Sequence, residues 1–266
     1  MLSLAHLTVL DANPLELIDA AAGGGFAYIG LRLAPPPATD AWPDIVGDTD
    51  LIRRIEQRLA ETGIRILDVE SFWLAPETSV HELLRVLETA ARLGARYLLV
   101  VGNDPEPTRL GQTFGGLCEA AAPLGLKAML EFIPFSHTRT VQAALRIVEH
   151  AGQPNAGVLV DALHVSRSGG SPEDLRRVDP ALLDYWQICD APAAAPPPDG
   201  LRAEARTQRL LPGDGGLPLR QLLEVMPPGR PIGVEVPSAQ LAHLSPLERG
   251  RLCGQATRAF LEQVAE

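Results

Sequence analysis

Three carboxylates close three short apolar runs: Glu131 after residues 126–130, Asp161 after 157–160, and Glu235 after 232–234. Runs this short, dense in Val, Leu and Ile and bounded by turn residues, predict buried parallel strands. Each carboxylate therefore sits where a strand leaves the core. Three carboxylates facing one cavity repel one another and are driven to protonate unless a cation joins them. Oxygen donors suit Mg²⁺ or Mn²⁺, and a single imidazole or amide with open water positions also admits Co²⁺, Fe²⁺ or Zn²⁺. His164 follows Asp161 by three residues and can fold back over the same opening. Gln187, within Tyr-Trp-Gln-Ile-Cys, is an amide too costly to bury unpaired. A carbonyl contact to a metal satisfies it, and a hydrogen bond to Asp161 or Asp190 does so equally well.

The elements that must position these groups follow a regular alternation. Strands are expected over residues 2–9, 26–33, 64–69, 95–101, 126–133, 157–161, 185–189 and 231–236. Helices are expected over 51–61, 80–93, 108–124, 138–151, 217–225 and 246–265, with two more opening at Asn13-Pro14 and Ser171-Pro172, where a cap precedes Pro at the first helical position. Strand then helix, eight times, predicts a closed (β/α)8 TIM barrel of the α/β class, a single domain over residues 1–266. An open doubly wound sheet is the competing fold, but no Gly-x-Gly-x-x-Gly follows the first strand. The Pro-rich segment 35–50, with Trp42, is expected to cover a site, and the Ala/Pro/Gly-rich segment 191–216 to be a flexible loop over the barrel mouth. Barrel enzymes gather their chemistry at the C-terminal strand ends. There the polar residues are His6, Arg32, Glu70, Asn103, Glu131, Asp161, His164, Gln187, Asp190 and Glu235. Arg32 is either a substrate anchor or half of an inward ion pair, and His6 is similar. Trp73 is an apolar wall or plain core.

Composition narrows the partners. With 46% hydrophobic and 21% charged residues the chain is an ordinary globular one, and a net charge of -10 argues against nucleic acid. No basic leader precedes an apolar stretch and no window approaches the roughly 20 apolar residues that cross a bilayer, so a cytoplasmic protein without membrane partners is expected. Cys118, Cys189 and Cys253 lack a Cys-x-x-Cys pair and read as buried free thiols.

Glu131 in Leu-Glu-Phe, Asp161-x-x-His164, Gln187-x-x-Asp190, the segment Leu-Pro-Gly-Asp-Gly at 211–215, and Glu235 in Val-Glu-Val together resemble the xylose isomerase-like superfamily of sugar phosphate isomerases and epimerases, over nearly the whole chain. The resemblance implies one divalent metal bound by Glu131, Asp161, Gln187 and Glu235, and a His164 that contacts substrate oxygens. Many epimerases of that superfamily carry His on strand seven. Gln187 instead resembles the ligand set of its bacterial 3-dehydroshikimate dehydratases. The expected chemistry is proton abstraction beside a carbonyl to give an enediolate, with Glu131 and Glu235 as the acid/base pair. His164 joins them, and His6, Arg32, Glu70, Asp190 and Arg209 are the candidates for holding a small-molecule substrate. Return of the proton gives epimerisation or isomerisation; loss of a β-hydroxyl gives dehydration. A non-catalytic binding subunit is the third reading, and self-association is compatible with all of them. Arg202, Arg206 and Arg209 are a candidate anion site or solvated charges.

Overall fold

The apolar runs form eight parallel strands in a computed structural model that describes residues 1–33 and 45–265. They are β1 (Leu2–Leu4), β2 (Tyr28–Arg32), β3 (Arg65–Leu74), β4 (Tyr97–Gly102), β5 (Lys127–Glu131), β6 (Ala156–Asp161), β7 (Trp186–Ile188) and β8 (Ile232–Val234). Each pairs with the next and β8 closes on β1, with Leu4 opposite Val234. The intervening helices are α1 (Pro14–Gly23), α2 (Thr49–Thr62), α3 (Val80–Arg92), α4 (Pro107–Ala121), α5 (Val141–Ala151), α6 (Ala162–Arg167), α7 (Pro172–Leu175), α8 (Leu201–Thr207), α9 (Leu219–Val225) and α10 (Pro246–Ala265). The start signals behave as expected: Asn13 makes a full capping box with Glu16, and Ser171 does so with Asp174.

Side chains on a strand alternate between faces, so each strand serves two layers. On β4, β5 and β6 one face carries Leu98, Val100, Leu130, Val158 and Val160 into the main core beneath the helices. The other face turns inward. There Tyr28, Leu67, Leu99, Met129, Leu159 and Tyr185 pack as an apolar plug inside the barrel, and Glu131 and Asp161, two residues beyond Met129 and Leu159, form the polar layer above it. Cys118, Cys189 and Cys253 are all buried and unbridged.

Three expectations about elements change. The first strand ends at Leu4 and residues His6–Val9 form a 3₁₀ turn instead, a turn that carries His6 back over the barrel. β3 runs to Leu74, past the expected end at residue 69, with its register against β2 slipping between Ile29 and Gly30. The segment 191–216 is not a plain loop. It contains α8, and antiparallel bridges join Asp190 to Leu210 and Gln208 to Ser238. A buried fork of Arg167 to both Glu204 carboxylate oxygens, at 2.8 and 2.7 Å, ties α8 to α6. That pair is invisible to composition, because Pro and Ala on either side read as linker. The segment 35–50 and Trp42 lie mostly outside the described residues; α2 begins within it at Thr49.

Candidate active site

A cleft opens at the C-terminal end of the barrel, as the parallel strand ends require. Glu131, Glu235, Glu70, Arg32, His164 and Arg209 line it, with Trp73 and Phe135 as aromatic walls. Strand order explains the gathering: β2, β3, β5 and β8 end there, α6 begins there, and the chain after α8 dips in from above. Asp161 caps α6, its Oδ1 accepting from the amides of Leu163 at 2.8 Å and His164 at 3.1 Å. That cap is what turns the His164 ring over the opening, 3.8 Å from Glu131 Oε1 and edge-on to Phe135.

Arg209 is the cation of the cleft floor. Its side chain is 1% exposed; Nη1 lies 2.6 Å from Asp161 Oδ2 and Nη2 2.8 Å from Glu235 Oε2. Nε donates to Ala205 O at 2.9 Å, so the guanidinium is fixed by the helix that delivers it. Gln187 reaches across from β7 and donates through Nε2 to Glu235 Oε1 at 2.9 Å. Its expected partners were Asp161 or Asp190; Glu235 takes the hydrogen bond instead, and the amide oxygen Oε1 is buried without a hydrogen-bond partner.

Among the described residues, five buried carboxyls, Asp68, Glu70, Glu131, Asp161 and Glu235, share this interior with two buried guanidiniums, Arg32 and Arg209. Full ionisation would leave three negative charges uncompensated. Burial, then the charges of Glu235 and Asp161, hold the Glu131 carboxyl well above the usual carboxylate range. Burial likewise raises Glu235 to about 7, Arg209 opposing it. Asp161 is the exception: burial disfavours its charge, but Arg209 and His164 outweigh that and keep it low. Burial lowers His164 to about 4, so its imidazole is neutral at pH 7. A carboxyl raised on folding binds protons that the unfolded chain has released, so it weakens the fold as pH climbs from the ordinary value toward the folded one. For Glu235 that window runs from 4.5 to about 7 and amounts to on the order of 3 kcal/mol. In EDTA the change in melting temperature on going from pH 5 to pH 7.5 is therefore expected to be more unfavourable in the wild type than in Glu235→Gln, a comparison in which the opposite contribution of the buried neutral His6 and His164 cancels; the same pH dependence in both proteins would contradict the floor described here.

Two expected substrate residues, His6 and Asp190, are not among the described residues that line the cleft. His6 is fully buried: Nδ1 accepts from the Arg32 amide at 3.1 Å and Nε2 lies 3.0 Å from Ala12 O, a pairing that requires the neutral Nε2–H tautomer. Burial pushes its pKa down to about 3, and Leu7, not His6, faces the cleft. Its backbone amide donates to Glu70 Oε1 at 2.9 Å, so the turn positions Glu70, whose other oxygen lies 3.7 Å from Arg32. Asp190 lies outside the cleft lining as well. Its Oδ1 accepts from Ala191 N and Leu217 N, at 2.8 and 3.0 Å, and Oδ2 from Gly213 N at 3.0 Å, so it clamps the turn at 211–217. A Cβ at Gly215 would come within 2.4 Å of Asp190 Oδ1, which is why that turn needs glycine there. Asp190→Ala is expected to cost about 1–3 kcal/mol in chemical denaturation by orphaning three amides; an unchanged midpoint would leave the clamp without energetic weight.

The interior also holds Asp68, absent from the sequence expectations. The slip in β3 puts Gly30 opposite Asp68, and a Cβ on Gly30 would lie 3.1 Å from both Asp68 Oδ2 and Glu70 Oε1. The two carboxyls thus share the space that glycine leaves. Its signal in the sequence was the period of two from Asp68 to Glu70, hidden inside an apolar run.

The donor set fits a divalent cation by its chemistry. Gln187 Oε1 is unpartnered, Glu131 is buried beside a neutral imidazole, and three excess negative charges call for positive charge. Both oxygens of Asp161 and Glu235 Oε1 already accept hydrogen bonds, the one to Asp161 Oδ2 from Arg209, and Glu235 Oε2 is ion-paired with Arg209. Among the described residues no three His, Cys, Asp or Glu side chains are drawn together tightly enough to hold an ion as they stand. An ion there would share those carboxylates with Arg209 or take them from it.

Comparison with known proteins adds four relations. A family model described as Xylose isomerase-like TIM barrel matches residues 18–259. The chain is similar to an inosose isomerase of Halalkalibacterium halodurans, 28% identical over 82% of this chain and 80% of that protein. It is 28% identical to a 3-dehydroshikimate dehydratase of Pseudomonas aeruginosa over 64% of this chain, but over only 28% of that longer protein. Among solved structures, the IOLI protein with a bound zinc atom shares the fold at a TM-score of 0.81, with 20% identity over 99% of this chain and 98% of that one.

Proposed function

The chain belongs to the xylose isomerase-like TIM barrel family, and we propose that it is a divalent-metal-dependent isomerase or epimerase of a small sugar, polyol or cyclic hydroxyketone. The observation that carries this reading is the pair Glu131 and Glu235, on strands three steps apart around the barrel, both buried and lining one cleft with a neutral imidazole beside them. A divalent ion held by Glu131, Asp161, Gln187 and Glu235, Mn²⁺ or Mg²⁺ first among the candidates, supplies positive charge that polarises a carbonyl and favours the ionised carboxylates. Whichever of Glu131 and Glu235 is ionised then takes the proton from the carbon beside that carbonyl, the C–H electron pair forms the enediolate double bond, and the other, which burial holds protonated, returns its proton. Neutral His164 holds a substrate oxygen by hydrogen bonding without adding charge, and Arg32, fixed by Glu70, holds another. Trp73, with Nε1 donating to Ser71 Oγ at 3.1 Å, and Phe135 supply flat walls for a ring.

A lyase reading has its own support: Gln187 in the strand-seven position and the likeness to a dehydratase. Both reactions pass through the same proton abstraction. Incubating Mn²⁺-loaded protein with hydroxyketones in D₂O separates them by mass: an isomerase or epimerase incorporates deuterium at the carbon beside the carbonyl, whereas a lyase also loses water. Purified protein that holds no metal and shows no thermal shift with Mn²⁺ would defeat both in favour of a binding subunit.

A further inference from the structure

We infer that a second ligand site, for a phosphate group either free or at the end of a small ester, lies on the flank of the barrel between α4 and α5. It stands apart from the catalytic cleft and from the reaction proposed there.

A cavity opens there, lined by Arg146 and His150 of α5, His137 of the turn that precedes this helix, and the apolar side chains of Leu110 and Ile147. Arg146 and His150 are four residues apart and so share one face of α5. The facing helix makes room for them: a Cβ on Gly111 of α4 would collide with the His150 ring. Among the described residues Arg146, His137 and His150 make no hydrogen bond or ion pair, although His137 lies near enough to Asp104 to feel its charge. Asp104 is the one carboxylate among the described lining residues, and it is already taken. Its oxygens accept from Arg109 Nε at 2.6 Å and Nη2 at 2.7 Å, and Oδ1 also accepts from the Glu106 amide at 2.8 Å. The first amides of α4 are taken too, because Glu106 caps Thr108 and Arg109.

The cavity thus presents N–H donors and positive charge with no acceptor left to answer them. Its inner wall adds Thr138, whose hydroxyl is buried without a hydrogen-bond partner. A Cβ on Gly102 would collide with both that hydroxyl and Leu110, so the end of β4 leaves the space in which they meet. A fitting ligand is negative and rich in acceptor oxygens. A phosphate monoester offers three such oxygens and a charge of about -1.5 to -2 near pH 7, which suits donors arriving from two elements better than the two oxygens and single charge of a carboxylate. Leu110 and Ile147 are apolar ground for a carbon chain. The same turn serves the catalytic cleft, since Phe135 lines that cleft while His137 and Thr138 line this cavity. The buried Ser136 hydroxyl braces the turn, donating to Ile133 O at 2.8 Å and accepting from the Thr138 amide at 3.1 Å. An occupant of the flank cavity would therefore press on the backbone that holds Phe135.

The chain has six histidines, so the Cε1–H signals of histidine-labelled full-length protein, assigned by single substitutions, report where a ligand binds. The probes are inorganic phosphate, glycerol 3-phosphate and glycerol. Both phosphates are expected to move the His137 and His150 signals along saturable curves while His81 and His243 stay still, and glycerol should move none of them. The tighter of the two phosphates names the source, free phosphate or ester. Arg146→Gln should weaken both by at least about tenfold, as loss of a charge-assisted contact does, at an unchanged melting temperature. Arg202→Gln, in the catalytic cleft, should leave the curves in place. His137 and His150 signals that stay still or drift without saturation, a response confined to His164, or curves that survive Arg146→Gln would overturn the inference.

Discussion

Arg209→Met is expected to destabilise the metal-free protein at pH 7 by about 3–5 kcal/mol, the loss found when one partner of a buried ion pair is removed and the other is left uncompensated. The side chain is 1% exposed, and both Asp161 and Glu235 would lose their nearest positive charge at once. Methionine fills similar volume, so the effect isolates charge from packing. Two further readouts distinguish this from a simple packing defect. Lowering the pH to 5 should shrink the loss, because Glu235, already raised to about 7, can take a proton in place of the guanidinium. Adding Mn²⁺ should shrink it too, since an ion that binds only the folded state stabilises by mass action and would use the carboxylates that Arg209 vacates. Urea unfolding in EDTA and in Mn²⁺, at both pH values, measures all four quantities. A loss below about 1 kcal/mol that ignores pH and Mn²⁺ would mean that Arg209 does not neutralise the floor.

Arg209 also marks the boundary of what the residues alone disclose. The barrel was legible because each strand is a brief apolar run and several helices announce themselves with a cap, Pro at the first turn or Gly past the last. The strand-end carboxylates were legible for the same reason: a charged residue closing an apolar run has nowhere to go but the rim. Their mutual distances were not. Glu131 and Glu235 face the cleft, whereas Asp161 lies behind Arg209, and nothing in the spacing of Asp161 and Arg209 foretells a bond across 48 positions. The helix that delivers Arg209 is only seven residues long and sits among Pro, Ala and Gly, so local propensity points away from it. Tertiary ties decide it, through the Arg167 and Glu204 fork. Asp68 was hidden by register: a β-bulge changes which residues face inward, and pattern reading assumes none. His6 and Asp190 look like site residues because they are polar and adjacent to strand ends; the structure spends their hydrogen bonds on backbone groups that shape the rim.

Replacing Glu131 by glutamine separates catalysis from stability, because the two should move in opposite directions. If Glu131 transfers the proton, glutamine, which can neither accept nor return one at neutral pH, should slow deuterium exchange into substrate by about 10²–10⁴-fold. The fold should gain. Glu131 is 4% exposed, its ion-pairing neighbour among the described residues is His164 at 3.8 Å, and burial together with Glu235 and Asp161 raises its carboxyl well above the usual range. A group shifted in that direction opposes folding increasingly as pH climbs past its ordinary value, so the variant in EDTA should match wild type near pH 4.5 and exceed it at pH 7.5. Glu131 is also a proposed metal ligand, so exchange must be compared at saturating Mn²⁺ with the affinity measured separately. A residue that merely supported the barrel would lose stability and activity together when its charge was removed. Exchange within tenfold of wild type at saturating Mn²⁺ would leave Glu235 as the sole proton carrier, and a two-base transfer from one face of the substrate to the other would no longer be available.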